Sequence, residues 1–137
     1  MSILNMGQLH FKIWLFNLRY DKRRLFAIIG YQKSSSAFGN IGALLLAARK
    51  EGQLVYVGSV GTGSRANDAL ELRAAMDKRK ASAPAVKSTG RRRNLVWIKP
   101  TLVAEIDHRA WTHDGKLRHP SYKGLRDAAD SAAIFEL

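Results

Sequence analysis

The stretch "GALLLAARKEGQLVYVGSVG", Gly42 to Gly61, decides the fold. Two apolar runs, Gly42 to Arg49 and Leu54 to Gly61, flank the four-residue connection "KEGQ", whose Gly52 suits a turn between antiparallel strands. The leucine run could also be helical, but its short length and its bounding glycines favour a strand. The stretch therefore predicts a β-hairpin.

The segments on either side extend this pattern into a small, mainly β domain. "LFAIIGY" (Leu25 to Tyr31) is rich in β-branched and aromatic residues and predicts a strand before the hairpin. After "GTGSRAN", residues 68–79 place Ala69, Leu72, Ala75 and Met76 on one face at helical spacing, and Asp68 followed by Glu71 predicts a capping box with Asp68 as the cap. Two more apolar stretches, "LVWIKP" and "LVAEIDHRAWT", predict the last two strands.

This order predicts a five-stranded OB-fold Greek-key barrel with one helix between strands 3 and 4. Other small β-barrels and α+β folds fit the same order of elements. With 137 residues, the chain has room for one domain of ordinary size.

The charge of the chain favours a polyanionic partner. Twenty-three Lys plus Arg against 11 acidic residues give a formal net charge of +12, which attracts nucleic acid above all, with ribosome-associated or acidic-protein partners left open. Cysteine is absent, so disulfides and thiolate metal sites are excluded. No apolar window approaches the length of a membrane span, so we expect a cytoplasmic protein.

One segment concentrates this charge. From Lys78 to Arg93 there are seven cations and no acid among Ala, Ser, Pro84 and Gly90, which predicts a loop that is mobile when unbound and follows a phosphate backbone. The residues that we expect to contact DNA are Lys78, Arg79, Lys80, Lys87, Arg91, Arg92, Arg93 and Lys99.

Motifs for enzyme chemistry are weak. "GSVGTG" lacks the order of a dinucleotide loop, no Gly-Lys-Ser/Thr completes a P-loop, and no nucleophile elbow supports hydrolysis by a serine. The histidines and aspartates near residue 110 match no zinc signature, so we predict no metal site. Glu105 and Asp107 share a strand face, but Lys99 and Arg109 offer them ordinary ion-pair partners.

Three aromatic residues could stack on bases, as in OB folds that bind single strands. They are Trp97, Trp111 and Tyr122. For both tryptophans we favour packing within the protein.

The C-terminal half carries a more specific pattern. "LVYVGSVGTGS", the helix, and then "VWIKPTLVAEIDHRAWTHDGKLRHPSYKGLRD" resemble the C-terminal OB-fold domain of bacterial ATP-dependent DNA ligases of the non-homologous end-joining type, from about Leu25 to Asp127. In that family the last segment holds the final nucleotidyltransferase motif, which addresses the triphosphate of ATP. The resemblance implies that Arg118, Lys123 and Arg126 face phosphate, and that Ser121, Tyr122 and Gly124 shape the turn.

The chain departs from the family at two places. Where the ligases usually continue with an acidic residue, Asp and Lys, this chain has Asp127, Ala128 and Ala129, so one expected phosphate-binding lysine and its aspartate partner are missing. No lysine is followed by the Lys-x-Asp-Gly pattern on which ligases form the covalent adenylate. We therefore expect no ligation by this chain alone, and no cofactor bound by it alone.

The resemblance implies a layout and a set of partners. We expect an N-terminal extension at 1–22, the DNA-binding domain at 23–127 and a C-terminal tail at 128–137. The partners would be nicked or duplex DNA and a ligase catalytic domain supplied in trans, with ATP and magnesium serving the complete ligase and the bacterial nucleoid as the location. The alternative is a free-standing module that binds single-stranded DNA or RNA and has no link to ligation.

Overall fold

Seven strands and one α-helix make up the described part of the chain. The computed structural model describes residues 23–63, 66–90, 92–126 and 134–137. In chain order the elements are β1 (Arg23–Lys33), β2 (Ile41–Lys50), β3 (Gln53–Val60), α1 (Ala66–Asp77), β4 (Leu95–Asp107), β5 (Ala110–Trp111), β6 (Leu117–Arg118) and β7 (Ser121–Arg126).

Five of the strands form one antiparallel sheet in the order β3-β2-β1-β4-β7, and β5 pairs with β6 in a separate small hairpin. The helix lies between the third and fourth strands of the chain, as predicted. The prediction of a mainly β OB fold is confirmed.

The assignment of the last two strands was wrong. "LVWIKP" and "LVAEIDHRAWT" do not form two strands, because residues 95–107 run through as the single strand β4. Pro100, which has no backbone N–H to donate, lies where the pairing with β1 jumps from Leu102 to Trp97. The fifth strand of the sheet is instead β7, which contains "SYKGLR".

The hairpin between β2 and β3 forms where it was predicted, with a tighter turn. The connection has two residues, Glu51 and Gly52, both with positive φ (52° and 79°). This is the combination that a type I′ turn requires, and its twist matches that of the flanking strands.

Both faces of the sheet are apolar. The helix-side face holds a core that includes Phe26, Tyr31, Leu44, Leu46, Val57, Ile98, Ala104 and Ile106. The opposite face holds a second cluster: Ala27, Ile29, Leu45, Ala47, Tyr56, Val86, Val103 and Ile134. This explains why residues 44–48 read as a continuous apolar run, since successive side chains of a strand point to opposite faces.

Helix α1 packs against one face of the sheet, the one called the helix-side face above. Ala69, Leu72 and Met76 are buried, as the spacing predicted, and Leu72 and Met76 join the core. The predicted capping role of Asp68 was wrong, because the helix includes Ala66 and Asp68 lies in its first turn. An acidic side chain there still favours the helix by its position near the positive end of the helix dipole.

The end of the chain also contacts the sheet. The amide of Phe135 donates to the Leu25 carbonyl (2.8 Å), and the amide of Arg49 donates to the Phe135 carbonyl (2.9 Å). Ile134 is buried in the cluster on the opposite face. Residues 134–137 therefore pack against β1 and β2.

Gly30 lies where the backbones of the paired strands β1 and β4 come close together. A Cβ at this position would lie 2.5 Å from the Val96 carbonyl oxygen and 3.1 Å from the Trp97 ring. The pairing of β1 with both neighbours is irregular at this point, between Ile28 and Gly30. Only glycine allows the two backbones to approach so closely.

We expect Gly30→Ala to lower the free energy of unfolding by about 1–3 kcal/mol, because the added methyl group meets backbone that cannot move alone. Urea unfolding followed by circular dichroism measures this loss. Gly61→Ala is the matched control, since nothing lies within 4 Å of its Cβ position. Equal stability of the two variants would contradict the packing argument.

Candidate phosphate and nucleic-acid interface

Two of the three predicted phosphate-facing cations, Lys123 and Arg126, lie on strand β7, at the edge of the sheet. Glu105 pairs with Gly124 and the next residue, Ile106, pairs with Tyr122, so Lys123 is the extra residue of a β-bulge. Gly124 has φ 144° and supplies the unusual backbone that the bulge needs. Lys123 is exposed, between the partly buried Tyr122 and Gly124.

Arg118 is presented by the small hairpin. The turn between β5 and β6 is closed by the Thr112 amide, which donates to the Lys116 carbonyl at 2.7 Å, and by the Thr112 hydroxyl, which donates to the Asp114 carboxylate. That hydroxyl lowers the pKa of Asp114 below its ordinary value. Thr112, Asp114 and Gly115 thus build the turn, and Arg118 itself is exposed.

Arg126 is held by an acid that the sequence did not indicate. Its Nη2 lies 3.0 Å from Oε2 of Glu105, whose side chain is 16% exposed against 49% for Arg126. The sequence offers Lys99 and Arg109 as ion-pair partners for the acids of β4, but Glu105 pairs with Arg126 instead. The pairing of β4 with β7 brings the two side chains together across the strands.

A groove of about 500 Å³ separates α1 from β7. Lys123, Tyr122 and Leu125 line one side, and Asp68 and Glu71 of the helix line the other. Burial, with a smaller contribution from the negative charge of Asp68, raises the pKa of Tyr122 to about 12. The predicted phosphate-facing Lys123 therefore shares its groove with two carboxylates.

Four of the predicted DNA contacts are gathered at the exit of the helix. The Lys99 amide donates to the Arg79 carbonyl (2.7 Å), and Lys80 forms an isolated bridge with Ile98, so residues 78–80 lie beside the first half of β4. Lys78, Lys80 and Lys99 are exposed. Arg79 is half-buried, and its guanidinium donates to the Ala75 carbonyl (2.7 Å) and to the Thr101 hydroxyl (3.0 Å).

The other predicted contacts lie beyond residue 80, in the segment that leads to β4. Lys87 and Arg93 are exposed. Arg92 is half-buried and donates to the Tyr56 hydroxyl (3.1 Å), the Gln32 side-chain carbonyl (2.8 Å) and the Ser59 hydroxyl (2.6 Å). Arg91 lies outside the described residues, as do Asp127, Ala128 and Ala129.

This segment has more contacts than its composition predicted. Val86 is buried in the cluster on the opposite face of the sheet, and Thr89 is 8% exposed. Three acceptors hold Arg92, two of them on β3 and one on β1. The basic segment was predicted to be a mobile loop. Instead, its described residues are anchored through Val86 and Arg92 to partners that lie far away in the sequence.

The aromatic residues pack within the protein. Trp111 stacks on Phe135 with ring centroids 5.6 Å apart, and it meets Phe26 and His108 edge-on at 6.3 and 5.3 Å. Trp97 packs on the cluster of the opposite face. The preference for packing over stacking is confirmed for both tryptophans, and Tyr122 also contacts the core.

Two further properties concern the described residues alone. They contain no group of three or more His, Asp or Glu side chains placed to hold a metal ion. They also contain no helix long and apolar enough to cross a membrane.

Comparison with known proteins identifies the family. The model of the family described as "ATP dependent DNA ligase C terminal region" matches residues 37–129, more than half of the chain. The chain belongs to the ATP-dependent DNA ligase C-terminal family. The resemblance found in the sequence is confirmed, and the matched range includes the bulged strand β7 and the helix.

Relatives of this ligase C-terminal domain include two multifunctional non-homologous end joining proteins LigD. That of Pseudomonas aeruginosa is 29% identical over 123 residues, which is 83% of this chain and 14% of the relative. That of Mycolicibacterium smegmatis is 35% identical over 102 residues, 70% of this chain and 13% of the relative. The chain thus spans about one-seventh of the length of these proteins.

Solved structures of ligases contain the same fold. The ligase domain of LigD from M. tuberculosis superposes with a TM-score of 0.69 at 27% identity, covering 79% of this chain and 37% of that one. A mycobacterial DNA ligase D complexed with ATP and MES gives a TM-score of 0.67 at 29% identity, covering 79% of this chain and 35% of that one.

The burial of Tyr122 predicts a pH dependence of stability. Its pKa of about 12 in the folded protein lies above the ordinary 10, so the folded state holds the phenolic proton more tightly. Its contribution is complete below pH 10 and is lost as the pH rises towards 12.

Between pH 10 and 12, we expect the free energy of unfolding to fall less steeply with pH in Tyr122→Phe than in the unchanged protein. The two slopes should differ by an amount that corresponds to at most one bound proton. Urea unfolding across this range measures the two slopes. Burial also raises the pKa of Tyr31, but that residue is present in both proteins and cancels in the difference. Identical slopes would show that Tyr122 titrates normally.

Proposed function

We propose that this ligase C-terminal domain binds the backbone of nicked or duplex DNA. The observation that carries the proposal is the surface formed by Lys78, Lys80 and Lys99, which we call the basic ridge. Hydrogen bonding of Lys99 to Arg79 brings these exposed lysines together, and Asp77 is the acid that reaches the ridge, at 3.9 Å from Lys80. Clustered lysines that neutralise phosphates gain affinity by releasing counterions.

The net charge of +12 supports the same partner. A net positive charge attracts DNA to the protein, and the exposed Lys87 and Arg93 extend the cationic surface beyond the ridge. Arg91, if it contacts DNA, adds to this group. Arg79 and Arg92 use their guanidinium groups within the protein and would contribute charge more than direct contacts.

In a complete ligase, we propose that Arg118, Lys123 and Arg126 face the phosphates of ATP. All three are exposed, and guanidinium groups bind phosphate oxygens with two parallel hydrogen bonds. The ATP and magnesium would be held mainly by a nucleotidyltransferase domain acting in trans, because this chain has no Lys-x-Asp-Gly pattern. Glu105 would hold Arg126 in place until phosphate competes for it.

We further propose the layout expected from the sequence, with the DNA-binding domain at 23–127 between an extension at 1–22 and a tail at 128–137, whose residues 134–137 pack back onto the domain. A nucleoid-associated location in the bacterial cytoplasm agrees with a DNA partner. The alternative function, a general single-strand binder that stacks bases on Trp111 or Tyr122, is disfavoured because both rings pack against the core.

A titration with nicked duplex, intact duplex and single-stranded DNA of one sequence tests the proposed function. We expect the duplex forms to bind most tightly and to weaken steeply as salt is raised. Fluorescence anisotropy at several salt concentrations gives each Kd and its salt slope. Preference for single strands would move the protein to the general OB binders, and an absence of duplex binding at low salt would refute the proposal.

Neutralising two lysines of the basic ridge tests where the DNA lies. For Lys78→Gln combined with Lys99→Gln, we expect weaker duplex binding and a salt slope reduced by about two, one for each lost phosphate contact. Lys33→Gln combined with Lys50→Gln removes the same charge from exposed positions elsewhere on the domain. Equal losses in the two double variants would show that the ridge is not the DNA site.

The absence of the adenylation pattern gives a third expectation. Incubation of this protein with labelled ATP and magnesium should leave no label after denaturing electrophoresis, because no lysine has the sequence context for the covalent adenylate. An ATP-dependent ligase run in parallel shows that the assay detects the adenylate. A labelled band from this chain would show a complete nucleotidyltransferase.

A further inference from the structure

The segment between α1 and β4 crosses the face of the sheet that lies opposite the helix. We call the described residues 81–90 and 92–93 the strap. Its first residue is tied to β4, where the Ala81 amide donates to the Trp97 carbonyl (2.9 Å). Val86 is 7% exposed and packs in the cluster with Leu45, Ala47 and Tyr56. The strap therefore covers side chains of β2 and β3.

Arg92 anchors the C-terminal end of the strap by hydrogen bonds. Its three nitrogen atoms each donate to a different side chain, at 2.6 to 3.1 Å, and the three acceptors Gln32, Tyr56 and Ser59 are all uncharged. The ion pairs found among residues 23–63, 66–90, 92–126 and 134–137 do not include Arg92. A planar guanidinium can bridge several acceptors at once, which the single ammonium of lysine cannot do in the same geometry.

The face under the strap has the composition of a single-strand site. OB barrels bind oligonucleotides on the face of strands 2 and 3, where bases stack on aromatic rings beside cationic groups. Here Tyr56 lies on β3, Trp97 packs on the same cluster, and Lys116 lies over the Tyr56 ring with its Nζ 5.6 Å from the centroid. Tyr56 is only 8% exposed, and Arg92 of the strap donates to its hydroxyl, so no base can stack on its ring in this arrangement.

We infer that the strap occupies the single-strand-binding face of the barrel, and that Arg92 is the specificity-determining residue that keeps it there. The chain then selects duplex DNA, which binds through exposed lysines, and rejects single strands, whose bases would need the covered rings. This inference rests on the proposed DNA binding and assigns to it a preference for one form of DNA.

Two neighbouring arginines of the basic segment have different environments. Arg92 points into the protein and satisfies three neutral acceptors, whereas the next residue, Arg93, is exposed. Replacing either residue removes one positive charge and, by counterion release alone, weakens binding to every form of DNA. Both replacements remove one positive charge, but only that of Arg92 breaks the hydrogen bonds to Gln32, Tyr56 and Ser59, which makes Arg93 the charge-matched control.

The experiment compares Arg92→Ala with Arg93→Ala. Single-strand affinity is measured with a fluorescent oligothymidylate and duplex affinity with a duplex of equal length, while amide hydrogen exchange reports on residues 81–90. We expect Arg92→Ala to lose protection in the strap and to bind the single strand roughly 5- to 100-fold more tightly, the gain typical of stacking one base. Arg93→Ala should keep its protection and bind both DNA forms slightly more weakly.

A second pair of changes keeps the experiment decisive if Arg92→Ala does not fold. Tyr56→Phe combined with Ser59→Ala removes two of the three acceptors but keeps the charge of Arg92 and an aromatic ring for stacking. This variant should gain single-strand affinity in the same way. Adding Tyr56→Leu to Arg92→Ala should abolish the gain, because the ring on which the base stacks is lost.

Two results would overturn the inference. One is unchanged protection of the strap amides from hydrogen exchange, both in Arg92→Ala and in Tyr56→Phe combined with Ser59→Ala. This would show that Arg92 does not hold the strap. The other is an opened strap with single-strand affinity no higher than that of Arg93→Ala, which would show that the covered face does not bind bases. Failure of the proposed DNA binding would be distinct, since the unchanged protein would then not bind duplex.

Discussion

A sheet with two apolar faces imposes the main constraint on this structure. Strands β1, β2 and β4 alternate between two hydrophobic clusters, so both sides of the sheet must be shielded from water. Helix α1 covers one side with Leu72 and Met76. Val86 of the strap and Ile134 near the C-terminus contribute to the cover of the other. The loops around the sheet are therefore part of its stability as well as of its surface.

Two of the proposed phosphate-facing cations, Lys123 and Arg126, lie on the same sheet. Strand β7 hydrogen-bonds to β4, the strand that also pairs with β1 at the centre of the fold. The bulge at Lys123 and the ion pair between Arg126 and Glu105 both arise from the register of β7 on β4. The backbone pairing of β7 with β4 thus fixes where Lys123 and Arg126 stand on the sheet.

The basic residues divide into two groups that a count of charges does not separate. Lys78, Lys80 and Lys99 are exposed on the basic ridge and suit a phosphate backbone. Arg79 and Arg92 donate instead to acceptors of the protein itself, at the exit of the helix and at the end of the strap. Arginine serves this second use because its planar group carries several donors in fixed directions.

Local patterns in the sequence were sufficient for much of the fold. The apolar runs on either side of Gly52 predicted the hairpin, and the spacing of Ala69, Leu72 and Met76 predicted the buried face of the helix. The stretches "LVYVGSVGTGS" and "VWIKPTLVAEIDHRAWTHDGKLRHPSYKGLRD" indicated the ligase family. These features depend on residues close together in the chain, which is why they can be read from it.

Only the tertiary structure decided where the functional side chains point. It joined two predicted strands into β4, paired Glu105 with Arg126, and turned Arg92 inward to acceptors 33 to 60 residues away. The contacts of Arg126 and of Arg92 join residues that are distant in the chain, and the register of the sheet determines which residues meet. No local pattern encodes that register, so composition predicted one continuous basic loop where the fold forms an exposed ridge and a fastened strap.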